Sequence, residues 1–265
     1  KINNNNINLQ SIKNSVFVKI ISPNFDLEYD LSSEKIKERF NKLIRYSDPN
    51  NDKETLFIWP EGVFSGYSYN EILGYKNLIK KSFSEKHRII FGINKLDPIT
   101  GRYYNSMLLV NNDFEIIQIY NKRKLVPFGE FLPFENFLNK FGLKKITEGH
   151  GSFLKGKKNN NIISDNLNIL PLICYEIIFT NLIQKSNNET NLIVNLSEDG
   201  WFGNSIGPDQ HFVKSIFRAI ENNTFLLRSA NQGVSAIIDN RGNIIKKLNR
   251  KEVGNIEFEV PLIKS

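Results

Sequence analysis

The chain has 265 residues, 40% of them hydrophobic and 24% charged, a balance that supports a packed core and excludes a disordered or fibrous class. Its formal charge of +7 comes from lysines scattered among asparagines, without a long basic run, which argues against a nucleic-acid surface. The single cysteine excludes an internal disulfide, and no stretch approaches the ~18 continuous apolar residues of a membrane-spanning helix.

The polar opening "KINNNNINLQSI" reads as a tail or linker over residues 1–14, and 15–265 as one domain. The chain begins at Lys1 rather than Met, shows no signal-peptide pattern, and is taken as an excised or processed piece. "VFVKIIS" (16–22) predicts a buried strand. "SSEKIKERFNKLIRY" (32–46) predicts a helix capped by Ser32 or Ser33, with Ile36, Phe40, Leu43 and Ile44 on one face. Strands follow at 55–59, 88–93, 106–110 and 115–120. The segment from 121 to about 153 is rich in Gly, Pro and Phe and reads mostly as loop. "NILPLIC" (168–174) and "NLIVNLS" (191–197) are strands, and "DQHFVKSIFRAIE" (209–221) is a helix. "TFLLRSA", "VSAIID", "NIIKKL" and "GNIEFEV" close the chain as short strands and hairpins. Strands alternating with helices define an α/β class.

Apolar runs such as "ILPLIC" are buried on both faces, and in α/β sheets chemistry collects at the carboxyl ends of such strands. Three strands here lead to a reactive residue: "TLFIWP" to Glu61, "EIIQIYN" to Lys122 and "ILPLI" to Cys174. Singly, each has a plain explanation. A lone cysteine in an apolar strand is ordinarily a small inert hydrophobe, a glutamate after proline a turn residue, and a lysine in "YNKRK" surface charge. A nucleophilic cysteine needs a base or a cation beside it. None of His87, His150 and His211 carries a Cys/His signature, which leaves a carboxylate and a lysine to do this. "GSFLKGKK" (151–158) mimics part of a phosphate-binding loop. It lacks the Ser/Thr after the lysine and the flanking strand and helix, and reads as a basic turn. The histidines are not spaced as metal ligands, and neither metal nor cofactor is expected.

At "WPEG", "YNKRKLVPFGEFLP", "ICYE" and "WFGNSIGPDQH" the chain resembles the carbon–nitrogen hydrolase (nitrilase) superfamily. More closely, it resembles the catalytic domains of the bacterial apolipoprotein N-acyltransferases, from about Val16 to about Val260. The resemblance implies a four-layer α-β-β-α sandwich. It implies Glu61 as general base, Lys122 as oxyanion-stabilising cation and Cys174 as nucleophile. Glu130 and Glu176 become supporting acids, and Tyr175 offers a backbone N–H to the oxyanion. Trp201 and Phe202 border an acyl pocket. The chain departs from the family pattern at Lys124, where a histidine is usual, and within Glu198-Asp199-Gly200, where Asn-Asp-Ala is common, at Glu198 and Gly200.

The implied reaction moves an acyl chain from a phospholipid, through a cysteine thioester, to the N-terminal amine of a diacylglyceryl-cysteine lipoprotein. The implied place is the periplasmic face of a bacterial inner membrane, reached through flanking helices. The phenylalanines of "VPFGEFLPFENFLNKFG" (126–142) fit either a lipid-dipping lid or ordinary packing. Two other readings stay open: a soluble amidase or nitrilase using the same three residues with water as acceptor, and an inactive lipid- or protein-binding domain.

Overall fold

The computed structural model of the protein describes residues 14–133, 152–157, 160–183 and 189–263. The expected tail lies outside these apart from Asn14. So do His150, residues 134–142 of the phenylalanine-rich segment, and both ends of 151–158.

The described strands form two six-stranded sheets. The first contains β1 (Ser15–Ser22), β2 (Thr55–Ile58), β3 (His87–Leu96), β4 (Tyr103–Val110), β5 (Ile116–Asn121) and β12 (Gly254–Pro261), in the order β12-β1-β2-β3-β4-β5. The second contains β6 (Ile162–Ser164), β7 (Leu167–Ile173), β8 (Leu192–Glu198), β9 (Leu226–Asn231), β10 (Ser235–Ile238) and β11 (Ile244–Leu248), in the order β11-β10-β9-β8-β7-β6. β1, β2 and β3 are parallel, and two antiparallel steps through β4 return β5 to the same direction. β7, β8 and β9 are parallel to one another.

Alternation along each strand builds three apolar layers. Val18, Ile20, Leu56, Ile58, Ile90 and Leu109 meet Ile169, Ile173, Val194, Leu196 and Leu227 between the sheets. The opposite faces of the same strands, through Phe57, Trp59, Ile89 and Phe91, pack on Ile36, Phe40 and Leu43 of helix α1 (Ser33–Ser47). Two short helices, α2 (Tyr69–Ile72) and α3 (Lys76–Ser82), add Ile72 and Ile79 to that layer. On the far side Leu170, Leu172, Ile193 and Leu226 pack on Leu182 of the short helix α4 (Thr180–Ile183) and on Phe212 and Ala219 of α5 (Gly207–Glu221). The result is the expected α-β-β-α sandwich.

Helix α1 begins where its pattern predicts. Ser32 takes an extended conformation, and its Oγ accepts from the N–H of Lys35 at 3.3 Å. Helices α2, α3 and α4 and strand β6 are elements without a predicted counterpart; the strand has only three residues and the helices four, seven and four. Two expectations are corrected. β7 stops at Ile173, and Cys174 instead opens a 3-10 turn, Cys174–Ile178. The cause is Glu176, whose Oε2 accepts from the N–H of Ile173 at 2.9 Å and turns the chain out of the sheet. The last strand does not close a hairpin with its predecessor. β12 crosses to the first sheet and pairs antiparallel with all eight residues of β1. That covers the β1 edge and places Ile256 and Val260 in the inter-sheet core.

Candidate active site

β2, β5, β7 and β8 all deliver their carboxyl ends to one end of the sandwich. Glu61 follows β2 in a turn, Lys122 follows β5, Cys174 follows β7, and Glu198 is the last residue of β8. All four line one cavity of about 460 Å³. Its wall is completed by Leu27, Tyr29, Phe64, Ile93, Trp201 and Phe202.

Lys122 is only 1% exposed, and buried ammonium groups persist only when paired. Its Nζ donates to Glu130 Oε1 at 2.9 Å and lies 3.6 Å from Glu61 Oε1. Burial alone would lower the lysine, but Glu130 and Glu61 together outweigh it and hold the ammonium well above its ordinary value. Asn105 of β4 binds both acids: its Nδ2 donates at 2.7 Å to Oε1 of Glu61 and to Oε1 of Glu130. Glu130 is itself fixed by the N–H of Val126, 2.8 Å from Oε2.

Cys174 is 9% exposed and has φ of 47°, in the left-handed region that non-glycine residues rarely adopt. Such strain persists where the surroundings over-determine it. The carbonyl of Cys174 accepts from His211 Nε2 at 3.1 Å. His211 Nδ1 faces Asp199 Oδ1 at 3.0 Å, and Arg228 Nη2 donates to Asp199 Oδ2 at 2.8 Å. Burial would raise the Asp199 carboxyl, but the Arg228 charge and the His211 hydrogen bond hold it well below the usual carboxylate range. Burial pushes the Cys174 thiol well up, Glu61 adds to this, and Lys122 opposes it. These surroundings favour the thiol over the thiolate, so attack by this sulfur requires a base to take its proton.

Glu176 is fully buried and binds no ligand-facing atom. Its Oε1 accepts from Tyr120 Oη at 2.9 Å and from the N–H groups of Arg123 and Lys124 at 2.7 and 3.1 Å. With Oε2 on Ile173, it ties the Lys122 loop to the Cys174 turn, one sheet to the other. Tyr175 sits second in the 3-10 turn, where helical N–H groups have no partner within the helix. Trp201 and Phe202 are 47% and 38% exposed at the cavity rim, with the Trp201 ring 5.6 Å from that of Tyr29.

Sequence reasoning gave no site role to Asn105 or to the His211–Asp199–Arg228 group, and noted Glu198 only as a departure from the family pattern. The available signal was polarity inside apolar runs, as in "YYNSMLLV" and "TFLLRSA". Among the described residues, no group of three or more His, Cys, Asp or Glu is arranged to hold a metal, and no helix is long and apolar enough to cross a membrane.

Two facing sheets between helices, with glutamates, a lysine and a cysteine gathered at converging strand ends, define a nitrilase-type sandwich. The chain belongs to the carbon–nitrogen hydrolase family, whose model matches residues 50–263. It is 39% identical over 253 residues to the apolipoprotein N-acyltransferase of Brucella melitensis, covering 92% of this chain and 47% of the relative. It is 33% identical over 259 residues to that of Rhodopseudomonas palustris, covering 93% and 48%. The chain thus spans about half the length of the curated relatives it matches. Saccharomyces cerevisiae Nit3, a member of branch 10 of the nitrilase superfamily, shares the fold with a TM-score of 0.66 at 18% identity over 93% of this chain and 90% of that one.

Proposed function

We propose that this chain is the catalytic part of an apolipoprotein N-acyltransferase that works through a Glu61–Lys122–Cys174 triad. One observation carries the reading. The three residues line a single cavity walled by apolar and aromatic side chains, in a chain 31–39% identical to curated relatives of that name. A cavity of about 460 Å³ falls within the ~300–1,000 Å³ range of small-molecule sites.

In the first half-reaction Glu61 takes the Sγ proton of Cys174, and the thiolate attacks the carbonyl carbon of a phospholipid acyl ester. Lys122 and the Tyr175 N–H stabilise the tetrahedral oxyanion; one such donor is typically worth ~3–4 kcal/mol. The C–O bond breaks, Glu61 returns the proton to the departing alkoxide, and a lysophospholipid leaves behind a Cys174 thioester. In the second, the α-amine of a diacylglyceryl-cysteine lipoprotein attacks the thioester. Its proton passes through Glu61 to the sulfur as the C–S bond breaks, giving an amide and the free thiol. Both steps transfer an acyl group without a change of oxidation state, so no redox cofactor enters. The apolar wall limits water, which would hydrolyse the thioester. A phospholipid donor fits a reaction at a membrane surface, and the family resemblance favours the periplasmic side of the inner membrane. Trp201 and Phe202 at the rim are suited to meet an acyl chain.

The test is intact-protein mass spectrometry of the full-length protein in detergent with phospholipid and no acceptor. The wild type is expected to gain one fatty acyl group that hydroxylamine removes, and Cys174→Ala to gain none. A protein that never gains it yet hydrolyses small amides is an amidase. One that does neither, while Cys174→Ala binds lipid like the wild type, is a binding domain.

A further inference from the structure

Glu198 lines the cavity and has no part in the reaction scheme. Its main-chain N–H donates to Oε2 of Glu61 at 3.1 Å, opposite the Asn105 bond to Oε1. Its own carboxyl turns away into the fold. Oε2 accepts from Asn231 Nδ2 at 2.7 Å and Oε1 from the N–H of Gly200 at 2.9 Å. The residue is 2% exposed. The carboxyl is wedged between two glycines: a Cβ on Gly62, which has φ of +78°, would lie 2.5 Å from Oε2, and one on Gly200 would lie 2.8 Å from Oε1. Asn231 is locked in turn by the N–H and carbonyl of Phe25, at 2.7 and 2.9 Å.

The charges around Glu198 are already engaged. Lys122 is shared by Glu61 and Glu130. Arg228 pairs with Asp199. Arg39 of α1 feels Glu198 at a distance, but its nitrogens donate to the carbonyls of Val63 and Asp26. Glu61 and Asp199 face it with like charge. Among the described residues, the side chain hydrogen-bonds only neutral donors, and a buried carboxylate without a cation is costly.

We propose that Glu198 is a positioning residue for Glu61: held as a neutral acid, it anchors the N–H that fixes Glu61 Oε2 and keeps a third negative charge out of the site. Burial chiefly, with Glu61 and Asp199, pushes its carboxyl up to about 8, against the bonds from Asn231 and Gly200. The proposal rests on Glu61 serving as the base. Ionisation of Glu198 then repels the negative charge that forms on the sulfur and the oxyanion once Glu61 has taken the thiol proton, and the reaction fails on the alkaline side.

The experiment compares full-length wild type, Glu198→Gln and Glu198→Ala. Acyl loading of the wild type is expected to fall about tenfold per pH unit above about pH 8, while Glu198→Gln holds its plateau through that range. Glu198→Ala is expected to load about 10²-fold more slowly at every pH, a loss that Gln largely rescues. Two readouts need no acyltransferase activity. The wild-type minus Gln infrared difference spectrum should show a carboxylic-acid C=O band at about pH 6 that vanishes by about pH 10. The ratio of iodoacetamide alkylation rates at Cys174, Gln over wild type, should stay near one at low pH and rise severalfold above about pH 8. Absence of the acid band, or an alkylation ratio flat with pH, overturns the proposal. Both signals present without acyl loading would sink the transferase reading and leave the role of Glu198 intact.

Discussion

His211 Nε2 donates a hydrogen bond to the main-chain carbonyl of Cys174 at 3.1 Å, so a residue on helix α5 holds the strained turn that presents the sulfur. The turn has a positive φ at Cys174, and the sandwich supplies this bond from outside it.

Removal of that donor should therefore be felt at the sulfur. His211→Ala leaves a buried carbonyl without its partner, which typically costs ~1–3 kcal/mol. Thermal unfolding should fall by several degrees, and alkylation of Cys174 by iodoacetamide should change in rate at constant pH. An unchanged alkylation rate would show that the turn holds its shape without the histidine.

Asp199 and Arg228 have fully buried side chains and pair at 2.8 Å. Asp199→Asn leaves the guanidinium buried without a counter-charge, a change worth ~3–5 kcal/mol in comparable pairs. Chemical denaturation should show a loss of that order. The Asp199 carboxyl is held low in the folded state, so its contribution is present above the unfolded value and is lost as pH falls through the folded one. The gap between wild type and variant should narrow as the solution is made strongly acid.

The acid pair around Lys122 depends on one amide. Asn105→Leu removes the donor to both Glu61 and Glu130. On the proposed mechanism, Glu61→Gln should slow acyl loading by ~10²–10⁴-fold through loss of the base, and Lys122→Met by ~10²–10³-fold through loss of an oxyanion donor. Asn105→Leu should slow loading as well, with the thermal midpoint measured alongside to separate misplacement from unfolding. Loading at the wild-type rate in a folded Asn105→Leu protein would remove Asn105 from the site.

Glu198 makes a stability prediction with a defined sign. Its folded value of about 8 lies above the unfolded one, so between the two the folded state holds a proton that the unfolded chain has lost. That contribution is complete below the unfolded value and disappears as pH rises through about 8. Across that window stability should drop by about 1 kcal/mol per pH unit relative to Glu198→Gln, measured by urea denaturation. Parallel stability curves for the two proteins would contradict it.

The sequence by itself determined most of the longer elements and the strand ends at which the candidate residues collect. A continuous apolar run marked β7 as buried on both faces, and the residues just past β2, β5 and β7, Glu61, Lys122 and Cys174, line one cavity. Helical spacing likewise marked Ile36, Phe40 and Leu43 as the inner face of α1. Only the tertiary structure decided that β12 lies beside β1, about 240 residues away in the chain, rather than beside β11. Only it decided that Glu198 meets Glu61, that Asn105 bridges two acids, and that His211 reaches Cys174. A two-residue period tells which side chains are buried, because burial is a property of one strand and its faces. It does not tell which strand lies alongside. A polar residue inside an apolar run acquires its meaning only from a partner that the packed sheets bring to it.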